Sequence, residues 1–224
     1  MTLPVLPGRE KIIISLDGNI GVGKSTLIQH LKTHIPNIHI IPEPVDTWTT
    51  YKTAENKNLL ELFYEDKERW AYTFQNCAVI TRALTIVDTI AKTPNKDVFI
   101  TERSLLTDRN VFAEMLHNNG CINELEWKLY NKWYDTFSDW VSISGIIYIT
   151  TSPETAETRL HIRAREGEDT ITLKYLYGLD IQHRKWISET HIPVLKISTE
   201  SDTNVCDNIK KIERFIETLL KPVL

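Results

Sequence analysis

Three features of the 224-residue sequence predict an α/β fold with a five-stranded parallel sheet flanked by helices. Short, almost wholly apolar and β-branched runs recur along the chain. Helix-compatible stretches separate most of them. The first run breaks into a glycine-rich turn that opens onto a helix.

In order, the first run spans Lys11 to Leu16 and breaks at Asp17-Gly18. Helical periodicity resumes at Ser25 and lasts until Pro36, whose ring cannot continue a helix. Further buried strands are expected at Ile38–Ile41, Val98–Thr101, Gly145–Thr150 and Val194–Ser198. Between them, Lys57 to about Ala91 reads as helix with a break near Asp66. Glu124–Trp140 carries Trp and Tyr at helical spacing, expected in the core or a subunit interface rather than around a cofactor. Ser152-Pro153-Glu154 is an N-cap followed by proline in the first helical position, so the arginine-rich stretch RLHIRAREGE, residues 159–168, falls toward the far end of a helix. Without repeat, low-complexity tract or linker, one domain over residues 1–224 is expected.

Composition bounds the function. With 42% hydrophobic and 25% charged residues the chain is ordinary globular material, and a net charge of −4 argues against coating a nucleic-acid polymer through a general positive field. The arginines of residues 159–168 therefore call for a local, compact anion. No apolar run reaches the ~20 residues that cross a bilayer, and the N-terminus has neither a secretory apolar core nor an arginine-rich transit pattern. A cytoplasmic protein without a membrane partner is expected. Cys77, Cys121 and Cys206 are widely spaced, which suits reduced thiols and excludes a disulfide framework and a zinc knuckle.

The strongest motif is Gly18-Asn19-Ile20-Gly21-Val22-Gly23-Lys24-Ser25, followed by Thr26, which matches GxxxxGK[ST] between a predicted strand and a predicted helix. Its glycines let backbone N–H groups turn inward around a polyphosphate, the helix N-terminus adds partial positive charge, Lys24 reaches the terminal phosphates and Ser25 offers a hydroxyl to Mg²⁺. A P-loop says only that a nucleoside triphosphate binds. What stands opposite decides the fate of the γ-phosphate. The second strand runs into Pro42-Glu43-Pro44 and the third into Glu102-Arg103-Ser104, which places two carboxylates at the carboxyl edge of the sheet, where open α/β sheets bind ligands.

Taken together, GNIGVGKST, EPVDTW, FYEDKERWAYTFQ, TERSLLTDR, RLHIRAREGED and YLYGLDIQHRKWI follow one another in an order that resembles the deoxynucleoside kinases of the deoxycytidine and deoxyguanosine kinase type, over nearly the whole chain. The resemblance implies a P-loop kinase fold with an arginine-rich lid at about residues 159–168. It implies ATP and Mg²⁺ as cofactors and a deoxynucleoside 5′-hydroxyl as acceptor. By that resemblance Glu43 is the general base, Arg103 binds near the acceptor hydroxyl and the transferred phosphate, and Glu102 helps Ser25 hold Mg²⁺. Arg159, Arg163 and Arg165 are the lid cations over the donor phosphates. Glu168 bonds the sugar 3′-hydroxyl with Tyr64 as its partner, and Trp48, Phe63, Phe74 and Phe112 wall the base pocket. Gln75 meets the Watson–Crick edge of the base. Arg82 falls two helical turns beyond Gln75 and pairs with Asp108 at the far end of that pocket, which favours deoxycytidine and purine deoxynucleosides over thymidine.

A thymidine kinase of the same fold is the main enzymatic alternative, beside a nucleoside monophosphate kinase, which would need extra cationic residues to hold the acceptor's own phosphate. A non-catalytic kinase-like subunit would be expected to lose Lys24, Glu43 or the lid arginines, and the sequence keeps all of them. The loop STESDTNVCDN after the fifth strand diverges from the family, so ATP as donor follows from the resemblance alone. A homodimer is implied on the same ground, through the stretches around residues 82–90 and 127–140.

Overall fold

The computed structural model describes residues 11–163, 171–200 and 205–221. Five strands, β1 (Ile12–Asp17), β2 (Ile38–Ile41), β3 (Val98–Glu102), β4 (Gly145–Thr150) and β5 (Val194–Ser198), pair in parallel in the order β2-β3-β1-β4-β5. β1 is buried along its whole length because both its edges and both its faces are covered, which explains why its sequence reads as a continuous apolar run. In register, Ile12 lies opposite Val98 of β3, and Ile14 opposite Gly145 of β4.

Side chains of β1 alternate between two layers. Ile13 joins the core under α4 (Lys67–Lys92) and α7 (Glu124–Ser138), whereas Ile12, Ile14 and Leu16 pack toward α1 (Lys24–His34) and α10 (Val205–Leu220). A third core lies beneath α8 (Pro153–Arg163) and α9 (Leu173–Glu189). Each large aliphatic side chain sealed in these layers contributes about 1.5–3 kcal/mol.

The expected break near Asp66 separates α3 (Leu59–Glu65) from α4. Asp66 serves both helices: its N–H donates to Leu62 O, and its carboxylate accepts from the Arg69 N–H as the N-cap of α4. Asn58 and Glu61 form a capping box at the start of α3. Ser152 caps α8 as expected, with Thr155 N–H donating to its hydroxyl at 3.2 Å. The structure adds α2 (Val45–Thr50), α5 (Leu105–Thr107), a π-helical stretch Asp108–Ala113, α6 (Glu114–Asn118) and α10 to the helices expected from sequence. The π-helical turn breaks the 3.6-residue period there. In α10 the buried Ile209, Ile212 and Ile216 do carry helical spacing.

The aromatic stretch of α7 divides between core and surface. Tyr130 and Phe137 are buried against the α4 layer, while Leu125, Leu129 and Trp133 face outward. Among the described residues, no helix is long and apolar enough to cross a membrane.

Candidate active site

The carboxyl ends of β1, β2 and β3 meet at one edge of the sheet, at the point where the chain crosses from the β2–β3 side of β1 to the β4–β5 side. A cavity of about 1010 Å³ opens there. Its wall includes residues 20–26 of the phosphate-binding loop, Glu43, Trp48, Phe63, Tyr64, Phe74, Gln75, Arg82, Glu102, Arg103, Asp108, Phe112, Arg159 and Arg163. Sequence positions spread from 20 to 163 thus converge on one space. Gly18 and Asn19 stand just behind it, and Arg165 and Glu168 lie outside the described residues.

The loop between β1 and α1 is held by close packing and by Asn19. At Gly21, with φ +81°, a Cβ would lie 2.5 Å from the backbone oxygen of Ala156 in α8, so only glycine allows the loop to approach that helix. Asn19 Nδ2 donates to Leu176 O of α9 at 2.8 Å, and its Oδ1 accepts from the Ile20 N–H. Lys24 folds back over the loop, and Nζ donates to the carbonyls of Asn19 (2.7 Å) and Gly18 (3.1 Å). Burial, helped by the Arg103 charge, pushes the Lys24 ammonium down to about 7 against the pull of Glu102, Glu43 and Asp17. Asp17 is wholly buried behind the loop and accepts from the Thr107 hydroxyl.

On the opposite wall, charges are fixed by one another. Arg103 Nη1 donates to both oxygens of Glu43, at 2.9 and 2.8 Å, and Arg82 Nη2 donates to Glu43 Oε1 at 2.9 Å. Burial raises the Glu43 carboxyl, but Arg103, Arg82 and Lys24 outweigh it and hold the group at about 2. Arg82 also donates through Nε and Nη2 to Asp108 (2.7 and 3.1 Å) and through Nη1 to Glu102 O (2.8 Å). The expected Arg82–Asp108 pair is therefore present, but Arg82 is also bonded directly to Glu43. Four of the five guanidinium N–H groups are occupied. Burial opposes the Arg82 charge, and the Asp108 and Glu43 carboxylates more than restore it.

Arg103 adopts the left-handed backbone conformation, φ 61°, that non-glycine residues rarely occupy, while its N–H donates to Leu16 O at the end of β1. The turn aims its guanidinium back across the cavity, 5.0 Å from the Phe112 ring centroid.

Of the aromatic residues expected to wall the base pocket, Trp48, Phe63 and Phe74 form one ring cluster, while Phe112 lies apart, edge-on to His183 at 6.4 Å. Phe63 stacks on Phe74 at 4.5 Å, Trp48 meets Phe74 edge-on at 5.2 Å, and the Trp48 indole N–H donates to the Thr81 hydroxyl. Gln75 projects from α4 with 1% exposure, and its Oε1 has no hydrogen-bond partner among the described residues. A buried amide acceptor left open on a cavity wall fits recognition of a polar ligand edge.

Among the wall residues that the sequence does not single out, Tyr175 and Thr199 carry polar groups in informative places. Tyr175, in the first turn of α9, lines the cavity with a buried hydroxyl that has no partner among the described residues. Thr199, at the end of β5, lies against both the phosphate-binding loop and Arg159. The only sequence signal for Tyr175 is its place in YLYGLDIQHRKWI; Thr199 has none, because STESDTN carries no pattern.

For a divalent cation, Ser25 and Glu102 supply a hydroxyl and a carboxylate on the same cavity wall, the hard oxygen donors that Mg²⁺ takes. Among the described residues no group of three or more His, Cys, Asp or Glu gathers as a self-contained metal nest. Any cation there would share its coordination with phosphate oxygens and water.

Comparison with known proteins agrees with this geometry. The deoxynucleoside kinase family model matches residues 14–223. The chain is 41% identical over 197 residues to the "Probable deoxycytidine kinase" of Fowlpox virus (strain NVSL), covering 84% of this chain and 79% of that one. It is 31% identical to the deoxycytidine kinase of Homo sapiens over 92% of this chain and 91% of that one. With the mitochondrial deoxyguanosine kinase of Xenopus laevis it shares 35% identity over 84% and 82% of the two chains. A phosphate-binding loop facing a guanidinium-clamped carboxylate, and a family match over nearly the whole length, lead to one conclusion: the chain belongs to the deoxynucleoside kinase family.

Proposed function

We propose that this kinase transfers the γ-phosphoryl group of ATP, in the presence of Mg²⁺, to the 5′-hydroxyl of deoxycytidine and purine deoxynucleosides in preference to thymidine. One observation carries the reading. Glu43 is held ionised in the same cavity as the phosphate-binding loop, and among the described residues its Oε2 accepts from a single donor, Arg103 Nη1, so it can accept one more. An alcohol hydrogen-bonded to Oε2 is aimed by it. Because phosphoryl transfer passes through a loose transition state, that aim matters as much as basicity.

A carboxyl held near 2 is a weak base at neutral pH. Glu43 therefore orients the hydroxyl in the ground state and takes its proton only as the bond from O5′ to the γ-phosphorus forms and the bridge to the β-phosphate breaks. Lys24 exchanges the Gly18 and Asn19 carbonyls for phosphate oxygens. Arg103, Arg163 and Arg165 supply positive charge around the phosphoryl group, Arg159, Arg163 and Arg165 belong to the lid, and Glu168 with Tyr64 meets the sugar. Mg²⁺ held by Ser25 and Glu102 would neutralise charge on the bridging phosphates.

The base preference is supported by the Gln75 Oε1 acceptor and by the Arg82–Asp108 pair, which crowds the place a 5-methyl group would take. Relatives named deoxycytidine and deoxyguanosine kinase point the same way. A homodimer is supported by the outward apolar row Leu125, Leu129 and Trp133 on α7, at helical spacing, with Leu84 exposed on the neighbouring α4. Free thiols at Cys77 and Cys121 support action in the reducing cytoplasm, by a single kinase domain over residues 1–224.

A phosphotransfer assay with Mg–ATP and each of the four deoxynucleosides, products separated by chromatography, tests this. Phosphorylation of deoxycytidine, deoxyadenosine or deoxyguanosine with little thymidine is expected. Thymidine as best acceptor would overturn the base preference, and no transfer to any acceptor would overturn the reaction.

A further inference from the structure

The segment after β5 touches both elements that face the donor side of the cavity. The Thr199 hydroxyl donates to Val22 O of the phosphate-binding loop at 2.9 Å, with Thr150 O a longer second acceptor at 3.3 Å. The same hydroxyl oxygen accepts from Arg159 Nη1 at 3.2 Å, and the Thr199 carbonyl accepts from Arg159 Nη2 at 2.6 Å. One residue thus joins the loop to the lid helix α8. Its neighbour Glu200 reinforces the junction, accepting from Thr151, Ser152 and Thr155 hydroxyls at 2.6, 2.7 and 2.8 Å and from the Ser152 N–H. Ser152, Thr155 and Arg159 follow one another at spacings of three and four, so residues 199 and 200 grip a single face of α8.

The bond to Val22 O has a specific geometric effect. A trans peptide points its C=O and its N–H in opposite directions, so fixing Val22 O outward aims the Gly23 N–H inward, toward the space a phosphate would fill. Packing does not do this at Gly23. Cβ atoms placed on Gly18 and Gly21 would collide with backbone, whereas nothing lies within 4 Å of one placed on Gly23, at φ +94°. The hydrogen bond therefore acts together with the buried Val22 side chain in orienting that peptide.

We infer that Thr199 is a positioning residue for the donor nucleotide, whose hydroxyl and carbonyl hold the Val22–Gly23 peptide and the Arg159 guanidinium in register so that both address the same phosphates. The inference rests on the phosphotransfer reading above and adds to it a residue that the sequence motifs do not single out.

Thr199→Val keeps the β-branch and removes the hydroxyl; Thr199→Ser keeps the hydroxyl. Calorimetric titration of the full chain with Mg–ADP is expected to show binding weakened about ten-fold in Thr199→Val and unchanged in Thr199→Ser, with the nucleoside KM of both within roughly two-fold of the parent, the size expected for losing a hydrogen bond that also orients a charged group. Parent-like ADP binding by Thr199→Val would overturn the inference, as would equal weakening by Thr199→Ser. Thr199→Ala makes the same deletion if the valine variant does not fold. A parent protein that binds Mg–ADP but phosphorylates no nucleoside would instead overturn the phosphotransfer reading and leave the Thr199 joint standing.

Discussion

The two walls of the cavity are made of different material. The donor wall is backbone: glycines pressed against Ala156 and Ile149, and carbonyls capped by Lys24 and Thr199. The acceptor wall is side-chain charge: Glu43, Arg82, Arg103 and Asp108 in one hydrogen-bonded cluster. Triphosphates share a single polyphosphate shape, and a fixed cradle of N–H groups suits them. Nucleosides differ by their bases, and a wall of side chains can be altered without rebuilding the sheet. The difference also assigns distinct failure modes: the donor wall fails by steric intrusion, the acceptor wall by leaving a buried charge without its partner.

The largest effect is expected from Arg82→Met. It strands Asp108 and removes one clamp from Glu43, and breaking buried pairs of this kind costs about 3–5 kcal/mol, read as a lower denaturant midpoint. Removing Asp108 at the same time should recover part of that loss; a double variant no more stable than the single would mean the cluster is not coupled. Glu43→Gln should lower turnover by ~10²-fold or more while calorimetry shows Mg–ADP binding retained. Near-normal turnover would take Glu43 out of the mechanism.

On the donor wall, Gly21→Ala should destabilise by about 1–3 kcal/mol and weaken Mg–ADP binding, since its Cβ meets backbone and its φ is positive. Unchanged melting and binding would show that the loop and α8 can part freely. Arg82→Met with Asp108→Ala should raise thymidine turnover relative to deoxycytidine by about ten-fold, the scale of one reshaped pocket contact. An unchanged ratio would place base selection elsewhere.

The smallest effect is a pH dependence. Glu43 is held below its ordinary 4.5 at about 2, so its contribution to stability is complete above about pH 4.5 and disappears as pH falls through 2. Melting temperatures from pH 5 to pH 2 should therefore converge between the parent and Glu43→Gln as pH falls. Curves that stay parallel would show that the carboxylate is not clamped.

The same division explains how much of the molecule was legible. All five strands, the break at Asp66 and the Ser152 cap are written locally, in apolar runs and capping residues, and the structure carries them with ends shifted by a residue at β1 and β3. The phosphate-binding loop is equally local, because its backbone conformation demands particular residues at particular spacings. The acceptor wall depends on residues 43, 82, 103 and 108, which only the folded sheet edge brings together. The strand ends placed Glu43 at that edge, resemblance supplied the roles of Arg82, Arg103 and Asp108, and even so Arg82 was expected against Asp108 alone. Its bond to Glu43 has no counterpart in local sequence, and neither does the role of Thr199.

Because Arg82 is bonded both to Asp108 and to Glu43, the order in which this cluster is substituted matters. A chain that loses Arg82 first passes through a form with two buried carboxylates short of a partner. One that loses Asp108 first keeps Arg82 anchored to Glu43 and to the Glu102 carbonyl. The shared guanidinium thus makes one evolutionary route open and its reverse nearly closed.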